Sequence, residues 1–600
     1  MTRLVILAGL AALTAGALPP ASGDSGPAQA RQAAAGTAAI SGQVVTADES
    51  RRPVRRAVVQ LTGGATERHV AVTSDDGRFE FRQLPAGRYT LVVSKPAYAS
   101  TYYGARRPHR PPGTPIVLAD GERRTDIVMP LARGAVIAGT VRGAGGQPVP
   151  NARVVVLEHR TTNGRRMFVP IPSSSLTVDD RGEYRLYGLP PGSYVVGAAA
   201  PFPQQAAARP TSAAEVRWAQ SASGPTTGAG ATPLPLLQAP VMPVPVYYPG
   251  TADPDSAEPI EVGPADERTG IDLILQTVTA AQVDGVVLHP DGRPAANSTV
   301  LVVRPGTVIM LDSPMRSTRA DASGRFVAQS LRPGRYTLFT TASSATDGPA
   351  RGGRGEPGAA ADLWASEAIE VAGRDIEGLR LVLQPGMTLS GRVVFDAASR
   401  PPPEPAGVRL NLTARAGDDQ PRLGVPYRAV QPDGTFEFRG IAPGAYQLTA
   451  TVAGGTPQEW MARSAVWQGT DLLEPFEILP GDNRADVVVT MTDRLTELSG
   501  TIFDARGEPA PDFSVLVFPV DRTLWVYPSR RIRSTRPGTN GEFRLTGLPP
   551  GDYFVAVLVD TDGLDFGDAG LLDEVSVGSV RVRLAEGEKT RQDVRLAGGT

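Results

Sequence analysis

The stretch DDGRFEFRQLPAGRYTLVV at residues 75–93 returns four times along the chain. The copies read DDRGEYRLYGLPPGSYVV (179–196), DASGRFVAQSLRPGRYTL (321–338), QPDGTFEFRGIAPGAYQL (431–448) and GTNGEFRLTGLPPGDYFV (538–555). Each copy has a first glycine (Gly77, Gly182, Gly324, Gly434, Gly541) and a second one ten residues later (Gly87, Gly192, Gly334, Gly444, Gly551). An aromatic stands two residues after the first glycine: Phe79, Tyr184, Phe326, Phe436 and Phe543. A tyrosine stands twelve residues after it: Tyr89, Tyr194, Tyr336, Tyr446 and Tyr553. Offsets this constant require one structural unit, built five times.

The local chemistry says what the unit contains. Asp76-Gly77, Asp433-Gly434 and Asn540-Gly541 are turn pairs, since glycine adopts positive φ at little cost. Alternation follows: Phe79 and Phe81 point one way and Glu80 and Arg82 the other, as in a half-buried strand. A second turn at Pro191-Gly192, Pro333-Gly334, Pro443-Gly444 and Pro550-Gly551 leads into a strand whose inner face carries the tyrosine. The expected product is a hairpin, with Leu84, Leu189, Leu331, Ile441 and Leu548 plugging its second corner.

Upstream of each motif lies an opening strand: ISGQVV (40–45), IAGTVR (137–142), VDGVVL (283–288), LSGRVV (389–394) and LSGTIF (498–503). A proline-containing turn and an apolar strand come next, as in PVPNARVVVL (148–157). Each copy ends in apolar alternation, as in ADVVVTM. This predicts an all-β chain of Ig-like sandwiches, about seven strands each. The 66 glycines and 56 prolines suit many short strands joined by turns. Copies are 105 to 142 residues apart, too far for propeller blades or solenoid repeats. The expected boundaries are 39–132, 135–278, 280–384, 387–492 and 495–597. Connectors of a few residues predict a fairly stiff rod. Insertions at 201–245 and 342–361, rich in Ala, Pro, Gly and Ser, read as loops.

The N-terminus, MTRLVILAGLAALTAGALPPASG, has a basic start, a short apolar core and a small-x-small site at Ala15-Gly16-Ala17. Residues 1–22 read as a secretory signal peptide and 23–38 as a linker, so the mature chain has no membrane span and is exported to the periplasm, cell surface or medium. A net charge of −2 gives no field for nucleic acid. With no cysteine there is no disulfide, thiolate site or cysteine nucleophile.

The pattern G-x-V … P-x-x-x-A-x-V … DG-x-F-x-F-x-x-L-x-P-G-x-Y resembles the carboxypeptidase regulatory-like domain, an accessory and non-catalytic module. The resemblance implies five tandem transthyretin-like sandwiches, similar to the B-repeats of collagen-binding adhesins. Such B-repeats often carry a lysine–asparagine cross-link. Here Lys95 and Lys589 are the only lysines and both are misplaced for it, so the sandwiches are expected to be held by packing.

Catalytic constellations are missing from the sequence. His69, His109, His159 and His289 are isolated, no HExxH or GxSxG occurs, and the glycines of ARGGRGEPG (350–358) lack the lysine and helix of a phosphate site. The acidic run TADPDSAEP (251–259) reads as a solvated loop. No enzyme, metal or cofactor is expected. The candidate binding residues are aromatics outside the motif: Tyr102, Tyr103, Tyr247, Tyr248, Trp364 and Trp467. Their bland reading is loop packing; their functional reading is stacking on sugar rings. The expected protein is a monomeric binding or spacer chain whose partner is a polysaccharide, with a stalk or an envelope-protein partner as the alternative.

Overall fold

A computed structural model describes residues 36–63, 67–105, 113–162, 165–171, 176–201, 215–216, 239–304, 311, 315–343, 362–415, 425–453, 459–526, 529–559 and 564–596. The expected signal peptide, most of the 23–38 linker, His109, the 350–358 run and most of both insertions lie outside these residues. The last part of the 201–245 insertion is strand rather than loop: Val241–Pro243 pairs with Thr277–Thr279 and buries Met242.

The first copy shows the architecture. Its strands are β1 (Ala38–Thr46), β2 (Val58–Gly63), β3 (Glu67–Val72), β4 (Arg78–Leu84), β5 (Gly87–Ser94), β6 (Thr101–Tyr102), β7 (Ile116–Leu118) and β8 (Arg123–Leu131). One sheet runs β4-β1-β8 and the other β3-β2-β5, continued by β6 and β7 along β5. The remaining copies repeat this plan. In each, the first motif strand pairs antiparallel with the opening strand, and the closing segment pairs parallel on the opening strand's other side. Every copy encloses its own apolar cluster between two sheets.

The expected hairpin is not formed. β4 belongs to one sheet and β5 to the other, and the same split holds in all five copies. The motif is therefore an arch across the core. Phe79 and Phe81 face Tyr89 and Leu91 from opposite walls, and all four are buried. Two devices bend the chain at the corner. The residue before the plugging leucine or isoleucine has positive φ in every copy (Gln83, Gly188, Ser330, Gly440, Gly547) and turns the strand out of its sheet, with a bulge in the first four. Then the motif tyrosine reaches back. Its hydroxyl donates to the carbonyl four residues earlier: Tyr89 to Pro85 at 2.7 Å, Tyr194 to Pro190 at 2.7 Å, Tyr336 to Arg332 at 3.0 Å, Tyr446 to Ala442 at 2.8 Å and Tyr553 to Pro549 at 2.7 Å. This is a tyrosine corner, with the ring in the core and the hydroxyl holding the bend. Burial pushes the Tyr446 hydroxyl up to about 12, so it remains a donor at every working pH.

The glycine of each opening strand has a separate cause. A Cβ on Gly42, Gly139, Gly285, Gly391 or Gly500 would lie 1.9 to 2.6 Å from a carbonyl oxygen of the closing segment. That closing strand bulges toward the opening strand at this point, where the register shifts between Leu389 and Gly391 in the fourth copy. Only a residue without a side chain lets the two backbones meet.

In denaturant unfolding, Tyr446→Phe is expected to cost about 1 kcal/mol by losing the corner bond. Tyr446→Ala should cost roughly 3–5 kcal/mol by leaving a cavity, and Gly391→Ala about 3 kcal/mol by overpacking. A Tyr446→Phe variant as damaging as Tyr446→Ala would show that the ring's burial is not the larger contribution.

Candidate interaction sites

The six aromatic candidates do not converge on one site. They lie in four different copies, and the core claims most of them. Tyr247 is 4% exposed, paired with Gly197 and packed in a cluster with Val155, Leu157 and Val195. Tyr248 and Tyr103 pack against their own copies' cores. Tyr103 also donates its N–H to Leu91 O. Burial raises its hydroxyl above the ordinary 10.0, and the carboxylate of Asp126 adds to this. Trp467 packs on the fourth core with the Arg484 guanidinium 4.5 Å from its ring centroid. Tyr102, on β6, and Trp364, on the strand Leu363–Val371, are half-buried and lie outside the core clusters, and the Trp364 indole nitrogen is itself enclosed.

Other polar groups are spent locally. Asp253 of the acidic run caps a short helical turn by accepting from the Asp255 N–H and the Ser256 hydroxyl. His159 stacks near Phe168 at 4.2 Å. Among the described residues no group of three or more His, Asp or Glu is placed to hold a metal ion. A cleft of about 540 Å³ opens in the second copy beside Thr140, Glu183, Arg185 and Asp272. There Asp272 already accepts from the Thr140 N–H and hydroxyl, and Arg185 pairs with Glu267.

The densest polar chemistry joins one copy to the next. Arg530, from the fifth copy, bonds Asp471 at 2.5 Å and Glu474 at 3.2 Å in the fourth, and also donates to the carbonyls of Ala462 and Arg463. Arg531 shares Glu474 at 3.0 Å and donates toward the Tyr553 hydroxyl at 3.4 Å, so this junction touches the fifth copy's tyrosine corner. All four charged side chains are at most 25% exposed. At that depth one partner left alone becomes an uncompensated charge, so the four act as a set.

Other junctions use different means. Leu311 of the third copy is fully buried in the second copy's Val155–Tyr247 cluster. The bulge at Gly188 abuts the Tyr98 carbonyl of the first copy, and the turn at Gly547 abuts Met461 of the fourth. Sequence reading did not single out Ser529-Arg530-Arg531 or Leu311. The paired arginines were visible, but their carboxylate partners lie more than fifty residues away.

The fold and its repetition define a tandem β-sandwich protein. Residues 39–129 and 136–223 match the carboxypeptidase regulatory-like domain, so the chain carries that domain in at least two tandem copies. No curated protein matches the chain. Among solved structures it is similar to the TIE protein of Bacillus anthracis (10% identity, 74% of this chain and 67% of that one, TM-score 0.14). It is also similar to BcpA, the major pilin subunit of Bacillus cereus (12%, 53% and 99%, TM-score 0.15), and to two B repeat units of the collagen binding protein of Staphylococcus aureus (11%, 76% and 99%, TM-score 0.12).

Two outcomes test these sites. Arg530→Met should destabilise the fourth and fifth copies by about 2 kcal/mol, because Asp471 and Glu474 lose their shared cation; chemical denaturation reads this. Asp493 gives a pH signature. Burial opposes its ionisation, but the N–H groups of Ala398, Ser399 and Arg400 and the Ser399 hydroxyl outweigh this and hold it well below the ordinary 3.8. A depressed carboxylate stabilises the fold above its unfolded value and loses that contribution as pH falls through the folded one. The fourth copy's melting temperature should therefore drop below about pH 4, and Asp493→Asn should flatten this dependence, as read by calorimetry.

Proposed function

We propose that this chain is an exported, non-enzymatic scaffold of five sandwiches, divided at 39–132, 135–278, 280–384, 387–492 and 495–597. In this reading it holds protein partners of the cell envelope in fixed relative positions. One observation carries the proposal: successive copies are bound by built junctions, above all the Arg530–Asp471–Glu474 set. A flexible tether would need no such charges at its hinges.

The sheet edges offer the docking chemistry. β3 closes one side of its sheet, and its Val70 and Val72 are more than half exposed. Such an edge accepts a partner strand through main-chain hydrogen bonds, with alternate side chains giving selectivity. A saccharide partner is the second reading, supported by Tyr102 and Trp364, the two candidate aromatics outside the core clusters.

Capture from envelope extracts by the tagged full chain, followed by mass spectrometry, is expected to return a protein partner. Val70→Lys with Val72→Lys should remove it without changing the melting temperature. Retention on a glycan array that disappears in Tyr102→Ala or Trp364→Ala would favour the saccharide reading instead. N-terminal sequencing of the mature protein should find residues 1–22 gone.

A further inference from the structure

The chain closes on itself, which the rod expectation did not foresee. Arg88 of the first copy donates from Nη1 to Glu542 O at 3.2 Å and from Nη2 to Arg536 O at 3.1 Å, both in the fifth copy. In return, Arg536 donates to Gly104 O at 2.6 Å. The Thr539 N–H reaches Pro115 O at 3.0 Å, and the Val117 N–H donates to the Thr539 hydroxyl at 3.3 Å. β7, which contains Val117, pairs with β5 on one side and takes Thr539 on the other. Partners more than four hundred residues apart thus form one junction.

This junction differs in kind from those between successive copies. It rests on hydrogen bonds to backbone carbonyls and on the touch of Val117 against Gly538. The fourth and fifth copies are tied by ion pairs, and the second and third by a fully buried leucine. The first and fifth copies are not neighbours along the chain, so their contact is made by these side-chain and backbone groups without a short linker beside it.

We propose that this end-to-end junction is a latch. It opens before the others, and the two surfaces it frees then join the fifth copy of one molecule to the first copy of a second molecule. The partner is a second copy of this chain because the complementarity is already written on its two ends: arginines facing carbonyls in both directions, and an edge strand facing a matching turn. The two surfaces differ, so the contact is heterologous and propagates head to tail. In dilute solution the closed form dominates, since the tethered partner has the higher effective concentration.

A chain without cysteine makes the test direct. A Cβ on Gly538 would lie 2.4 Å from Val117 Cγ2, so sulfurs on these two residues are within disulfide reach. With oxidised glutathione as the oxidant, dilute Val117→Cys/Gly538→Cys protein is expected to form an intrachain disulfide, read as monomer mass with increased gel mobility. Adding Arg88→Ala and Arg536→Ala should lower that yield several-fold and raise the radius of gyration in small-angle scattering. For the assembly arm, isotope-labelled Val117→Cys protein is mixed at high concentration with unlabelled Gly538→Cys protein. Mixed-isotope disulfide dimers should exceed by about tenfold those from Val70→Cys with Gly538→Cys. Absence of the intrachain disulfide, or mixed dimers no more abundant than in the control, overturns the proposal.

Discussion

The motif tyrosine, with its ring buried between the sheets and its hydroxyl bonded to the carbonyl four residues behind it, is the residue on which each copy depends. A strand leaving one sheet must cross the core and enter the other within a few residues. That crossing strips backbone groups of their ladder partners, and a buried carbonyl left unpaired is costly. The tyrosine satisfies one such carbonyl from inside the core, while its ring fills the space between the walls. The positive-φ residue before the plugging leucine does the complementary work of ending the first strand's pairing. Losing the hydroxyl loosens the bend, and losing the ring as well leaves a cavity between the walls.

The opening strand is the second constraint. It lies between two strands of its sheet, antiparallel to the first motif strand and parallel to the closing one. Its central glycine admits the closing strand's bulge, so the first and last segments of a copy are matched backbone to backbone. A copy is complete only when its last strand arrives. This explains why the repeat is a whole sandwich and not a hairpin unit.

Function, on this reading, belongs to the spaces between copies more than to any loop. The aromatics that looked available from sequence are largely taken up by their own cores, Tyr247 most completely. Charged side chains converge instead where one sandwich meets the next. Neighbours clamped at Asp471, Glu474 and Arg530 hold their outward faces at a set distance and angle, which is what a scaffold requires.

Much of the fold was legible in the residues. Five glycine–aromatic–glycine–tyrosine patterns, period-two alternation and the opening glycines specified an all-β chain of repeated units and put the right side chains in the core. These features are local, and their physics is local: positive φ, two-faced strands and the volume of a ring. The sequence did not reveal which sheet each strand joins, because alternation sets the buried face but not the partner. Nor did it reveal that Arg530 would find Asp471, that Leu311 would fill a neighbour's outer face, or that Arg88 would meet Arg536 across the chain. Those pairings join residues far apart in sequence, and only tertiary packing brings them within bonding distance.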